Sequence, residues 1–360
     1  MKMMHCEDNR AEKQKVFVQT EDGRFSYQLF MDYAKGLPKE LELVPVLGNI
    51  SGGCCDQDDN LYCGLRGGSF MSSKPATCLI KLDPNGNFTE TLGEGLLTGL
   101  HFFNVTDHGT IVLPMTGNSY VIEMTMDGKE IVRTLGEKDK PCDNVKDPEI
   151  FARVRLHYGI FATEPCNGYN GYPYEWALKH EGKELGKPFN NPTDVDFDSE
   201  GNYFIADGYN NFAVHKFGKD GSYIETWGGK GIFDPYTDTP GKFLVVHALC
   251  VDKNDNVWVC DREKDAIHIF NKKGEVVAYC SNNMSQPSGV DTDGEYVYVV
   301  GRGGYITIFD LEFNIVGQLG FFNGNLRAHD IAADSKGNLY LFPTHANYEH
   351  QIIALKRIAD

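Results

Sequence analysis

The stretch NPTDVDFDSEGNYFIADGYNNFAVHKFGKDGSYIETWG, from Asn191 to Gly228, decides the fold. It divides into four short runs in which apolar and polar residues alternate: DVDF, YFIA, FAVHKF and YIETW. DSEGN, DGYNN and GKDG separate them, and Asp, Asn and Gly are the residues that turns demand. The stretch is expected to be a four-strand antiparallel unit of about 40 residues. Alone it cannot bury both of its faces, so it must stack on copies of itself.

The copies are present. Each first strand opens on a small hydroxyl residue or a histidine, in the column Ser51, His101, Thr193, His247, Ser288, His329. His247 to Ser288 and Ser288 to His329 are both intervals of 41 residues. Turn strings recur in register (DQDDN, TDHG, DSEGN, DKNDN, DTDG, DSKGN), and second strands follow them as NLYCGL, TIVLPM, NYFIAD, NVWVCD, YVYVVG and NLYLFP. Six copies predict an all-β protein, a six-bladed β-propeller, and apolar residues at helical spacing are almost lacking. Residues 1–40 read as an N-terminal extension and 41–360 as the propeller. LELVPVLG, 41–48, matches the strings that end other blades (TETLG, VRTLG, IETWG, VGQLG), whereas the last blade ends in QIIALKRI with no fourth strand. An N-terminal strand is therefore expected to close the ring and remove the open edge. His101 and Thr193 are 92 residues apart, roughly 50 more than the period. The excess, 138–188, carries Tyr158, Tyr169, Tyr172, Tyr174 and Trp176 among many Gly and Pro, and reads as a lid or as an arm packed on a neighbouring blade or subunit.

The opening column also carries chemistry. First strands line the central channel, so alternate blades point at one axis from about 120° apart. His101, His247 and His329 occupy blades two, four and six. Any one of them alone would be read as a hydrogen-bonded core residue. Three in strict alternation at one structural position read as a shared facial metal site with positions left open. At the ends of the second strands stand Arg66, Tyr209, Arg262 and Arg302. An Asp-Arg pair at such a turn is commonly a structural ion pair, but three Arg and a Tyr around a histidine tripod look like anion recognition. His345, His350 and Arg357 read as solvated surface.

A net charge of −17 argues against nucleic acid or an anionic membrane as partner, which leaves a small-molecule substrate; oligomeric state stays open. No apolar run is long enough to span a bilayer. The start, MKMMHCEDNRAEKQK, lacks the apolar core of a secretory leader, so a cytoplasmic location is expected. Of ten cysteines, Cys63, Cys78, Cys250, Cys260 and Cys280 lie inside strand patterns, no CxxC occurs, and reduced structural thiols are expected. The adjacent pair Cys54–Cys55 lies near the axial column.

The strings PTDVDF…FIADGYNN, VHALCVDK…VCDREKDAIHIF and AHDIAAD resemble the NHL-repeat six-bladed propellers, and within them peptidyl-α-hydroxyglycine α-amidating lyase and its bacterial relatives. The resemblance covers roughly residues 45–355. It implies a catalytic zinc on His101, His247 and His329, a catalytic Tyr209, active-site arginines Arg66 and Arg262, and a structural calcium at Asp330. Asn210 departs from it, standing where animal members have a half-cystine, and the 138–188 insertion and the missing oxygenase portion are further departures. The implied reaction cleaves a carbinolamide, N–CH(OH)–COO⁻, to an amide and glyoxylate. Arg302 is read here as an additional substrate-binding contact. Two other readings stand beside this one: a metal-dependent hydrolase such as a lactonase, and a non-catalytic NHL interaction module.

Overall fold

In the turns, aspartate and asparagine supply the hydrogen bonds that the chain reversal leaves unmade. Asp198 Oδ1 accepts the backbone N–H groups of Glu200 and Asn202, and Asn202 Nδ2 donates to Asp198 Oδ2. The same D-x-x-x-N clasp joins Asp56 to Asn60, Asp252 to Asn256 and Asp334 to Asn338 between first and second strands. It recurs between third and fourth strands at Asp83–Asn87 and Asp310–Asn314. Each carboxylate thus satisfies groups that a reversal would otherwise leave to water.

The structure is a computed structural model that describes residues 16–31, 33–38, 41, 50–65, 77–140, 142, 188–209, 211–232, 237–281, 284–322, 324, 326–343 and 352–358. The strands form six antiparallel sheets around one axis. Blade one runs from β3 (Ile50–Cys55) to β6 (Phe88–Leu97), and blade two from β7 (Asn104–Val105) to β10 (Ile131–Leu135). Blade three comprises β11 (Pro192–Phe197), β12 (Tyr203–Asp207), β13 (Ala213–Phe217) and β14 (Tyr223–Gly228). Blade four runs from β15 (Val246–Val251) to β18 (Val276–Cys280), and blade five from β19 (Pro287–Thr292) to β22 (Ile315–Gly320). Blade six holds β23 (Asp330–Ala333), β24 (Leu339–Phe342) and β25 (Ile353–Arg357).

Apolar side chains from each blade pack against the next, giving six core clusters at the seams. The seam between blades six and one packs Tyr340 and Phe342 against Ile50, Cys63 and Ile80, so the ring is continuous there as well. No described helix is long and apolar enough to cross a membrane.

The closing strand comes from a different place than expected. β25 pairs with β2 (Ser26–Phe30), which pairs with β1 (Val16–Gln19), making blade six five-stranded. The propeller therefore includes residues assigned above to the 1–40 extension. Phe25 and Tyr27 decide this, because both are fully buried in the seam between blades five and six. Residues 42–48, which carry the LELVPVLG match, lie outside the described residues.

Candidate metal centre

The column residues reach the axis because the first strands bulge there. In blade four, Val246 pairs with Asp261 and Ala248 with Cys260, so His247 is an extra residue with no partner opposite. Thr193 and Ser288 occupy the same bulge in blades three and five, and Ser51–Gly52 faces a single Gly64 in blade one. A bulge turns its extra side chain out of the alternating pattern. The hydroxyl residues use this to satisfy spare carbonyls: Ser51 Oγ donates to Gly64, Thr193 Oγ1 to Ala206 and Val246, and Ser288 Oγ to Ala328.

His101, His247 and His329 are buried, with ring centroids 4.8–4.9 Å apart, and one ligating atom from each lies within 4.8 Å of the others. Each Nδ1 bonds to a backbone carbonyl of the next blade: His101 to Thr193 (3.0 Å), His247 to Ser288 (2.6 Å) and His329 to Ser51 (2.7 Å). A carbonyl can only accept, so each Nδ1 carries its proton and each neutral ring offers a bare Nε2. The backbone at the intervening column positions therefore fixes where each histidine carries its Nδ1 proton. Burial first, then the Arg262 charge and the nearness of the other two imidazoles, hold His247 well below the usual histidine range, so it is neutral.

Tyr209 closes the cluster. Its hydroxyl lies 3.0 Å from His101 Nε2 and 2.9 Å from His247 Nε2. Between two neutral rings its one proton serves one nitrogen, and the other contact sets lone pair against lone pair. A cation among these atoms would remove that conflict, and a three-imidazole donor set with Nδ1 hydrogen-bonded behind it suits zinc. Tyr209 gets there through Gly208: a Cβ on Gly208 would lie 1.6 Å from the Val246 carbonyl oxygen, so only glycine lets the turn pass this close.

Arg262 is fully buried on the 3₁₀ turn Arg262–Lys264. Its Nη1 donates to the Tyr209 hydroxyl at 3.3 Å, and its guanidinium lies 5.4 Å from the Tyr209 ring centre. The neighbouring Asp261 is not its ion-pair partner; the Asp261 carboxylate accepts the N–H groups of Leu244 and Val245, while Glu263 takes the guanidinium.

Sequence reasoning gave no role to Phe102 or Glu263. The Phe102 ring lies 4.1, 5.4 and 4.9 Å from those of His101, His247 and His329. It forms an apolar floor beneath the tripod, in space left free by the absent side chain of Gly52. Its signal was a bulky aromatic directly after an axial histidine, in a column that elsewhere reads Gly52, Asp194, Ala248, Gly289, Asp330. Asp330 is buried and accepts the Gly53 N–H at 3.1 Å; a Cβ at Gly52 or Gly289 would strike its carboxylate. Arg302 occupies the matching turn of blade five, half-buried, where its backbone N–H donates to the Gln286 carbonyl. Arg66, Asn210, His345, His350 and nearly all of 138–188 lie outside the described residues.

The described cysteines are free thiols. Cys54 packs in the seam between blades one and two, and burial pushes Cys54, Cys55, Cys250 and Cys260 well above the ordinary thiol range. A cleft of about 520 Å³ opens among the turns that follow the first strands of blades two to four, at the opposite end of the ring from the tripod.

Residues 189–217 match the NHL repeat model. Over 183 residues the chain is 31% identical to peptidyl-glycine α-amidating monooxygenase B of Xenopus laevis, an alignment covering 45% of this chain and 20% of that protein. Form A of the same enzyme is 30% identical over 182 residues, covering 45% and 19%. The chain thus spans about a fifth of the length of the curated relatives it matches. Among solved structures, a streptogramin B lyase superposes with a TM-score of 0.51 at 13% identity, covering 93% of this chain and 88% of that one. A virginiamycin B lyase from Staphylococcus aureus superposes with a TM-score of 0.50 at 11% identity, covering 88% and 82%. At such identities the likeness is one of fold.

Proposed function

We propose that this chain, an NHL-repeat six-bladed propeller similar over part of its length to the amidating enzymes, is a metal-dependent carbon–nitrogen lyase. Its substrate class is a small α-hydroxy-amide, N–CH(OH)–COO⁻, which it would cleave to an amide and an aldehyde such as glyoxylate. One observation carries the reading: three buried imidazoles whose Nδ1 protons are committed to backbone carbonyls, with a tyrosine hydroxyl between two of their Nε2 atoms.

His101, His247 and His329 would hold zinc, which when bound supplies a Lewis acid that lowers the pKa of a hydroxyl beside it. Tyr209 would be the base in its phenolate form, its own proton having passed to solvent when the cation occupies the tripod: its oxygen takes the carbinol proton, the carbinol electron pair forms the C=O bond, and the C–N bond breaks. The departing nitrogen needs one proton, which the Tyr209 hydroxyl can return. Arg262 steadies the charge on the Tyr209 oxygen through Nη1. Arg66 and Arg302 are assigned to the substrate carboxylate and a second polar group, because the Arg262 charge is already matched by Glu263. Phe102 keeps water from the tripod on its lower side. Asp330 is proposed to hold a structural calcium. Burial and the Asp330 charge hold Asp194 well above the usual carboxylate range, and a cation would relieve that repulsion.

The zinc-loaded protein is assayed for glyoxylate release from α-hydroxyhippurate and from ureidoglycolate. Turnover that disappears in His247→Ala supports the reading. No turnover with the tripod filled removes this substrate class, and a His247→Ala variant at full rate removes the mechanism.

A further inference from the structure

Arg262 and Glu263 are adjacent in sequence, and neither side chain has any exposed surface. Arg262 Nε donates to both Glu263 oxygens, at 3.0 and 2.9 Å, and Nη2 donates to Oε1 at 2.7 Å. The carboxylate thus takes one edge of the guanidinium and leaves Nη1 facing Tyr209. A buried guanidinium without a matching anion is strongly unfavourable. This one stands one hydroxyl away from the Nε2 atoms of two imidazoles, where its charge opposes any further positive charge. Asp261 does not grip this guanidinium; its carboxylate accepts the N–H groups of Leu244 and Val245.

Building on the proposed metal site, we infer that Glu263 is a positioning residue that both aims and neutralises Arg262, so that the tripod can accept a dication beside a buried guanidinium. The two residues then act on metal affinity with opposite signs. Glu263→Gln keeps the shape and one acceptor oxygen but removes the anion that grips the Arg262 guanidinium beside the tripod. Arg262→Met removes that charge and leaves the Glu263 carboxylate. Arg262→Met/Glu263→Gln removes both.

The test is zinc affinity, measured without substrate by competition against a chelator, on the full chain and these three variants. Glu263→Gln is expected to bind zinc at least about tenfold more weakly, Arg262→Met as tightly as the parent or more so, and the double variant within about threefold of the parent. If the Glu263→Gln chain does not fold, the Arg262→Met and double-variant affinities still decide the matter. A pair that mattered only for packing would weaken zinc in both single variants, and that result overturns the inference. Unchanged affinity in Glu263→Gln overturns it too, while the metal site itself stands. A parent protein that takes up no zinc overturns both.

Discussion

At the scale of single residues, the site depends on which nitrogen of each imidazole carries the proton. The backbone carbonyls of Thr193, Ser288 and Ser51 settle that, each from the blade next to its histidine. Tyr209 is the residue whose chemistry can be removed with least disturbance, because phenylalanine keeps the ring that lies edge-on to His101 and His247 and takes away only the hydroxyl. Tyr209→Phe is expected to keep zinc bound, with parent stoichiometry by metal analysis, and to lose about 10²-fold or more in kcat for glyoxylate release. Retained turnover would give the base role to another group. Alternating histidines, Tyr209 and Arg262 were all legible in the sequence as residue types in a column. Phe102 and Glu263 were not, since a buried aromatic and a charged turn residue look alike wherever they fall.

At the scale of elements, two departures from a regular strand matter: the bulges that carry the column, and the strand that closes the ring. A bulge depends on the pairing of two strands, and no local composition marks Val246–Ala248 as irregular. Closure depends on β2, whose Tyr27 is buried while its neighbours are half-exposed. Tyr27→Ala removes a fully buried ring from the seam between blades five and six and is expected to cost about 3–5 kcal/mol. Chemical denaturation measures this, and a loss below about 1 kcal/mol would mean that β2 does not hold the ring. The sequence pattern pointed to an N-terminal strand but placed it at 41–48, because the LG ending was easier to match than the alternation in SYQLF.

At the scale of the whole molecule, a ring of blades brings charges together from distant parts of the chain. Burial pushes Asp196 and Asp291 up to about 7, with hydrogen bonds from Val251 and Ala333 opposing the shift. Their folded values exceed the unfolded ones, so they favour the folded state at low pH and lose that contribution as pH rises through about 7. His247 acts in the other direction: its folded value is depressed, so stability falls as pH drops below about 6.5, where the unfolded chain takes up a proton. Below about pH 6.5 the two carboxylates outweigh the one histidine, so the melting temperature of the metal-free protein is expected to fall as pH rises from 5 to about 7 and to level off above it. Calorimetry from pH 5 to pH 8 measures this, and Asp291→Asn should make the fall shallower. A profile that rises steadily to pH 8 would contradict the assignment of buried carboxylates.

The sequence by itself determined the repeat, the number of blades and the identity of the axial residues. Each of these follows from local periodicity, which turn chemistry and strand alternation write directly into neighbouring positions. Tertiary structure alone decided which side chains meet: Phe102 beneath three rings, Glu263 on Arg262, and β2 against β25. Those contacts depend on where bulges re-aim side chains and on how six blades turn about a common axis. That geometry exists only after residues hundreds of positions apart have been brought within a few ångströms, and no short stretch of chain encodes it.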